Sequence, residues 1–320
     1  MSKMSIEPPR HVLNGPTMGT RWSAMFHTAG AGPAPALGRI ATALQAAVDE
    51  VDRQMSSWNP DSDLMRLNRA PVGAWTEIPA RLAQVLGHGL SIGRASDGAF
   101  DIGMGDAVHA WGFAGEPPSP DRIRAALAAS RVPAHEAIEL DRDLGRVRKL
   151  APVTLDLNGI AKGHGVDRLA ETLLASGITS FLVGIDGEMR GAGLRDDGRP
   201  WTVAVEAPDP ETRAAHSILA LHDAAVATSG DYRHWVTVGR QRLSHTMDPR
   251  RGAPLLAPPA SVTVIAETCT AADAWATALT VLGPDRGGTL ARSQGLEALF
   301  LLRGADAAIE TRHIGRIFAI

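Results

Sequence analysis

The chain has 320 residues, 44% of them hydrophobic, which is enough apolar surface for a substantial core in one large domain or two small ones. Its 32 basic and 35 acidic residues leave a formal net charge of -3, so there is no electrostatic footprint for a nucleic acid or an anionic membrane partner. Cys269 is the only cysteine, which excludes an internal disulfide and a thiolate metal cluster.

Residues 1–15 hold no apolar run of signal-peptide length before Pro8 and Pro9 and are expected to be a flexible lead-in. With no lipid-attachment cysteine and no long uncharged apolar stretch for a membrane span, the expected location is the cytoplasm; a trimmed, exported precursor would read the same. Residues 20–27 alternate like a strand, and 36–55 place Leu37, Ile40, Leu44, Val48, Val51 and Met55 at helical intervals. Asn59, Pro60, Asp61 and Ser62 signal a turn before a second helix over 79–95, with Leu82, Val85, Leu86 and Leu90 on its apolar face. Ser119 caps a third helix, with Pro120 in the first turn where a missing N–H costs least.

From Val153 the pattern predicts a strand, a Gly-containing turn and a helix over 160–176 closed by Gly177 in a left-handed cap. Strands follow at 180–185, 201–206, 217–221, 225–228, 235–238 and 261–266, then a helix carrying Asp273 that Gly283 and Pro284 stop. Final strands are expected at 297–302 and 314–320. Helices and strands mix without strict alternation, which favours an α+β fold with mixed sheets flanked by helices. The Gly- and Pro-rich stretches 29–35 and 114–120 are short enough to be loops, so residues 1–320 are expected to form one composite domain.

Asp273 and Thr277 stand four residues apart on the last helix, so a carboxylate and a hydroxyl share one face. That pair suits Mg²⁺, which takes a few protein oxygens and leaves other positions to water and phosphates. Thr270 and Asp273 also fit a capping box, in which the acid serves only the helix end. The stretch from Asp156 to Asp167 puts Gly159, Lys162 and Gly163 at a strand-to-helix junction, where free N–H groups and the helix dipole bind phosphate. The Walker A spacing is missing. Lys162 is one of three lysines in a chain that otherwise uses Arg, and it reads either as a phosphate contact or as a solvated first-turn side chain.

His245 precedes a turn-forming Asp248 and Pro249, where an imidazole could act as a base near neutral pH, although most single histidines in a chain of 11 do not. No zinc-binding histidine spacing occurs. Trp58, in a loop after a helix, offers either a stacking surface for a planar ring or ordinary packing. Ala99, Phe100 and Asp101, followed by Trp111, Gly112 and Phe113, form a further apolar segment with one acid that is uninformative alone.

Taken together and in order, these pieces resemble the ApbE family of FAD:protein FMN transferases. The likeness runs from Met18, Gly19 and Thr20 through the Trp58 loop, Gly98 to Asp101, Asp156 to Asp167, Ala227 to Tyr232 and His245 to Pro249, ending at Ala272 to Thr277. It implies a T-fold-like architecture, an FAD whose pyrophosphate is held by Mg²⁺, and transfer of FMN to a threonine of an acceptor flavoprotein subunit with release of AMP. By position, Asp273 and Thr277 would bind Mg²⁺ together with backbone oxygens of Gly159 and Ala276. Met18, Trp58, Ala99, Phe100, Asp101, Asp156, Lys162 and Met247 would line the FAD site. His245, aided by Asp273, would be the catalytic base. Other readings of the same site are a Mg²⁺-dependent FAD pyrophosphatase and a non-catalytic FAD-binding protein. The chain departs from the family pattern where Ile185, Asp186, Gly187 and Glu188 stand in place of a segment with a Gly-Gly pair, where Asp106 and Ala107 replace Pro-Leu, and in the residues around His245.

Overall fold

The computed structural model describes residues 10–28, 36–209, 211–231, 235–238, 241–304 and 308–318. Strands β1 (Arg10–Thr17) and β2 (Thr20–His27) form an antiparallel hairpin in register from Arg10↔His27 to Thr17↔Thr20. The expectation of a flexible lead-in over 1–15 is therefore corrected from Arg10 onward, because β2 would otherwise expose an unpaired edge. Residues 1–9 lie outside the described part.

Helix α1 (Leu37–Met55) follows, then α2 (Asp63–Arg69), β3 (Thr76–Glu77) and α3 (Ala80–Ala95). Ser62 Oγ accepts from the Met65 amide at 3.1 Å, so the turn signal at Asn59–Ser62 is also a helix cap. Next come α4 (Gly105–Ala110), α5 (Pro120–Ala128), α6 (Ala134–Ala137), β4 (Ile138–Asp141) and β5 (Arg146–Lys149). Ser119 caps α5 as its sequence indicates. The strand expected at Val153 is absent; Thr154 makes only an isolated bridge to Met104.

Helix α7 (Ala161–Ala175) leads to β6 (Phe181–Ile185), β7 (Glu188–Ala192), β8 (Trp201–Glu206), β9 (Ala215–Leu221) and β10 (Ala224–Gly230). The remaining elements are β11 (Trp235–Val238), β12 (Gln241–Ser244), β13 (Met247–Asp248), β14 (Ala253–Pro254), β15 (Ser261–Ala266), α8 (Cys269–Ser293), β16 (Glu297–Arg303) and β17 (Ile309–Ile314). Gly283, with φ of 73°, breaks α8, and Pro284 starts its second segment. The last strand lies before rather than within 314–320, because Gly315, with φ of 87°, turns the chain away.

The main sheet runs β1-β2-β6-β7-β10-β15-β16-β17 with antiparallel neighbours. One face packs Trp22, Phe26, Phe181 and Val183 against Leu44 and Val48 of α1 and Leu169 and Leu173 of α7. Farther along the same face, Val262, Val264 and Phe300 meet Leu279 of α8, in a cluster that extends to Leu82 and Leu86 of α3. The opposite face carries Ile265, Leu299 and Leu301, covered by Val203, Val205, Leu219 and Leu221 of the β8–β9 hairpin. Burial on both faces explains why β16 reads as a continuous apolar run from Ala298 to Leu302 rather than an alternating one. No helix among the described residues is long and apolar enough to cross a membrane.

Helix α7 also buries His164, whose Nε2 has no hydrogen-bond partner. Burial pushes its pKa down to about 4, with Asp167 and Glu171 opposing the shift and Arg81 and Arg168 reinforcing it. Since an unfolded histidine titrates near 6.5, the unfolded chain binds the extra proton first, and stability falls as pH drops from about 6.5 to about 4. The linked loss is about 3 kcal/mol. His164→Gln is expected to remove it, so urea midpoints measured across that window should fall less for the variant than for the parent. Parallel midpoint curves would contradict the assignment.

Candidate functional site

The site forms where the N-terminus of α7 meets the first turns of α8. The turn that feeds α7 is held by Asp156, whose Oδ1 accepts from the Asn158 amide at 2.9 Å and whose Oδ2 accepts from Asn158 Nδ2 at 3.0 Å. The Asp156 amide donates to the Ile102 carbonyl at 2.8 Å, tying this turn to the segment that carries Ala99, Phe100 and Asp101. Gly163 lets α7 and α8 approach closely: a Cβ there would collide with the Cys269 carbonyl and lie 2.8 Å from Asp273 Cβ. At this contact Asp273 Oδ2 accepts from the Gly163 amide at 2.9 Å.

The capping reading of Asp273 fails on geometry. Thr268, not Thr270, caps α8 by accepting from the Ala271 amide at 3.3 Å. Thr270 Oγ1 instead donates to Asp167 Oδ2 at 2.6 Å. Asp273 is thus free to face the α7 terminus, with Thr277 one turn on. Thr277 Oγ1 lies 3.3 Å from Ser229 Oγ, and a Cβ added to Gly159 would sit 3.1 Å from it. The structure therefore gathers Gly159, Asp273 and Thr277. Ala276 lies beside them on α8, and its carbonyl accepts from Thr280 Oγ1 at 2.8 Å.

Lys162 projects from the first turn of α7 into a group of carboxylates. Its Nζ donates to Glu188 Oε1 at 2.8 Å and lies 3.7 Å from Asp186 Oδ2. Burial opposes the ammonium charge, but Glu188, Asp273 and Asp186 outweigh it and raise the Lys162 pKa. Burial raises the pKa of Asp273, and the charge of Glu188 raises it further. Three carboxylates thus share one ammonium. Among the described residues no three His, Cys, Asp or Glu side chains converge as a metal cage. One carboxylate, one hydroxyl and a glycine cradle fit a hard dication whose other positions go to water and phosphate oxygens. The residues present therefore fit Mg²⁺.

Glu188, Asp186, Ser229 and Asp167 join the site without having been assigned roles from the sequence. Asp167 is buried and ties three elements together. Its Oδ1 accepts from Arg190 Nη1 at 2.7 Å and from the Cys269 amide at 3.0 Å, and its Oδ2 accepts from the Thr270 amide at 2.9 Å. An anion at the first turn of α8 also favours the helix dipole. The available signal was the alternation Glu188, Arg190 on β7, which presents charges opposite to Lys162 and Asp167 of α7.

The other expected residues take varied places. Met18, in a left-handed turn with φ of 43°, packs over Gly165 of α7. Ala99 and Phe100 are buried, and the Phe100 ring lies beneath Gly159. Asp101 Oδ1 accepts from the amides of Gly103 and Ala134 at 2.7 and 3.0 Å; burial raises its pKa against those bonds. Trp58 is 60% exposed, with its indole against Gly115. Met247 is buried among Met104, Ala107 and Val108.

His245 is half-buried in the bend between β12 and β13. The Leu255 amide donates to the Thr246 carbonyl at 3.0 Å, and the amides of Arg251 and Gly252 donate to the Asp248 carbonyl at 3.1 and 2.9 Å, which braces the Asp-Pro turn. Trp111 Nε1 donates to the Gly252 carbonyl at 3.0 Å, linking this turn to the end of α4. The Gly105 amide at the start of α4 in turn donates to the Thr154 carbonyl at 2.9 Å, close to the Asp156 turn.

Residues 18–300 match the model of the ApbE family. The chain is 32% identical over 301 residues to an FAD:protein FMN transferase of Escherichia coli (strain K12), covering 92% of this chain and 85% of that one. It is 33% identical over 303 residues to the FAD:protein FMN transferase of Vibrio cholerae, covering 92% and 88%. Among solved structures, it is similar to the apo form of the flavinyl transferase ApbE of Pseudomonas stutzeri, with a TM-score of 0.84, 33% identity and coverage of 97% and 96%. The flavin transferase ApbE of Vibrio cholerae gives a TM-score of 0.82 at 30% identity, covering 96% and 98%.

Proposed function

The chain belongs to the ApbE family, and from that premise we propose that it transfers the FMN moiety of FAD to a threonine hydroxyl of an acceptor flavoprotein and releases AMP. The observation that carries this reading is the meeting of Asp273 and Thr277 with the Gly159 to Gly163 turn at one helix N-terminus. Phosphoryl transfer needs positioning and charge neutralisation more than covalent help from the enzyme, and this junction supplies both.

Asp273 and Thr277 would hold Mg²⁺, joined by backbone oxygens of Gly159 and Ala276. When bound, the ion neutralises charge on the pyrophosphate and eases departure of AMP. Lys162, in the first turn of α7 where the helix dipole favours an anion, faces the same phosphates. His245 takes the proton from the incoming threonine hydroxyl; a bond forms between that oxygen and the FMN phosphorus as the bond to the AMP phosphate breaks. Trp58, exposed beside Gly115, covers a ring of FAD.

The test is incubation with FAD, Mg²⁺ and a flavoprotein subunit, followed by mass spectrometry of the subunit. An added FMN mass with AMP release that depends on the subunit supports the transferase. Steady AMP release without the subunit indicates a pyrophosphatase instead, and neither product indicates a binding protein. For Trp58, the indole emission should be quenched on FAD binding. Trp58→Ala is expected to lose that quenching and about tenfold in affinity, the scale of one stacked ring. Unchanged affinity and quenching would remove Trp58 from the site.

A further inference from the structure

Glu188 is 3% exposed, and its Oε2 accepts no hydrogen bond. Burying a carboxylate with a lone-pair site left empty is costly even when a half-buried lysine pairs with it, and a well-packed apolar side chain at such a position is often as stable or more so. A stability argument therefore does not account for the carboxylate. What it does is visible in its one bond, the 2.8 Å contact from Lys162 Nζ to Oε1. Lys162 has a long flexible stem whose freedom must be removed if its charge is to sit at a fixed place.

The surroundings show how that is done. Glu188 opens β7 directly after the tight turn at Asp186, whose φ is 55°. Two residues along the same strand face, Arg190 binds Asp167 of α7 at 2.7 Å. Strand β7 thus grips α7 at two points through opposite charges, and the upper point is the lysine in the first turn of the helix. Asp186 and Asp273 add attraction from the turn and from α8, but neither makes a hydrogen bond to Nζ.

We propose that Glu188 is a positioning residue that fixes the Lys162 ammonium at the α7 N-terminus, so that the phosphate-binding charge is in place before the substrate arrives. This rests on the reading of the site as one for FAD. Preorganised charge binds more tightly because the ordering cost is met in folding rather than in binding.

The experiment is a double-mutant cycle read by calorimetric titration of FAD in the presence of Mg²⁺, with melting temperatures recorded on the same preparations. Lys162→Met is expected to weaken FAD binding about tenfold or more, the order of a charge-assisted phosphate contact. Glu188→Ala should approach the same loss, and the pair together should bind no more weakly than Lys162→Met alone. Glu188→Gln, which keeps an oxygen acceptor at the same reach and guards against a misfolded alanine variant, should recover most of the affinity. Folded Glu188 variants with parental affinity, or losses that multiply in the double variant, overturn the inference while leaving the FAD site standing. A parent protein that binds no FAD overturns the proposed function and the inference together.

Discussion

Replacing Asp273 with asparagine is expected to abolish Mg²⁺-dependent FMN transfer, by on the order of a hundredfold or more, while leaving the protein folded. The amide oxygen can still accept from the Gly163 N–H that Asp273 Oδ2 now receives at 2.9 Å, so the α7–α8 contact survives. What is lost is the negative charge. In the metal-free protein that charge is a burden, because burial and the neighbouring Glu188 carboxylate both disfavour it. Asp273→Asn should therefore raise rather than lower the melting temperature without metal, a gain in stability exchanged for function. Calorimetry with FAD present should show Mg²⁺ binding lost. Unchanged Mg²⁺ affinity would return Asp273 to the role of a structural acceptor for the Gly163 amide.

His245→Ala is expected to slow FMN transfer about a hundredfold or more while leaving FAD affinity within about twofold, the scale and selectivity of a lost general base. Binding and chemistry separate because phosphate affinity belongs to α7, Lys162 and the metal pair, whereas His245 sits on the β12–β13 bend. That bend is braced independently, through the Leu255 amide on the Thr246 carbonyl and Trp111 on the Gly252 carbonyl. Removing the imidazole should leave both braces intact. If His245 served packing alone, melting temperature, FAD affinity and transfer rate would fall together. A folded variant that transfers FMN at the parental rate would falsify the base assignment.

Much of this architecture is legible from local pattern. The apolar stripes of α1 and α3, the Ser119 cap of α5, the left-handed Gly177 after α7 and the Gly283–Pro284 break in α8 all stand where sequence reading puts them. Each depends on interactions within about one helical turn, which spacing along the chain records. The failures share a different cause. Strand β1 exists because β2 is its partner, Val153 has only the isolated Thr154–Met104 bridge beside it and no ladder to join, and Gly315 turns away the segment expected to be the last strand.

The same division runs through the candidate site. By itself the sequence determined that a carboxylate and a hydroxyl share a helix face at Asp273 and Thr277, and that a glycine-containing turn opens α7. It left open whether Asp273 caps its own helix. Only the tertiary structure decided that, by sending the Thr270 hydroxyl to Asp167, 103 residues away, and Asp273 to the Gly163 amide, 110 residues away. Only the tertiary structure, too, brought Glu188 to Lys162 and Arg190 to Asp167. Helical periodicity is a property of neighbours in sequence, whereas the partner of a buried charge is chosen by which strand lies under which helix, and that follows from sheet order rather than from any local run of residues.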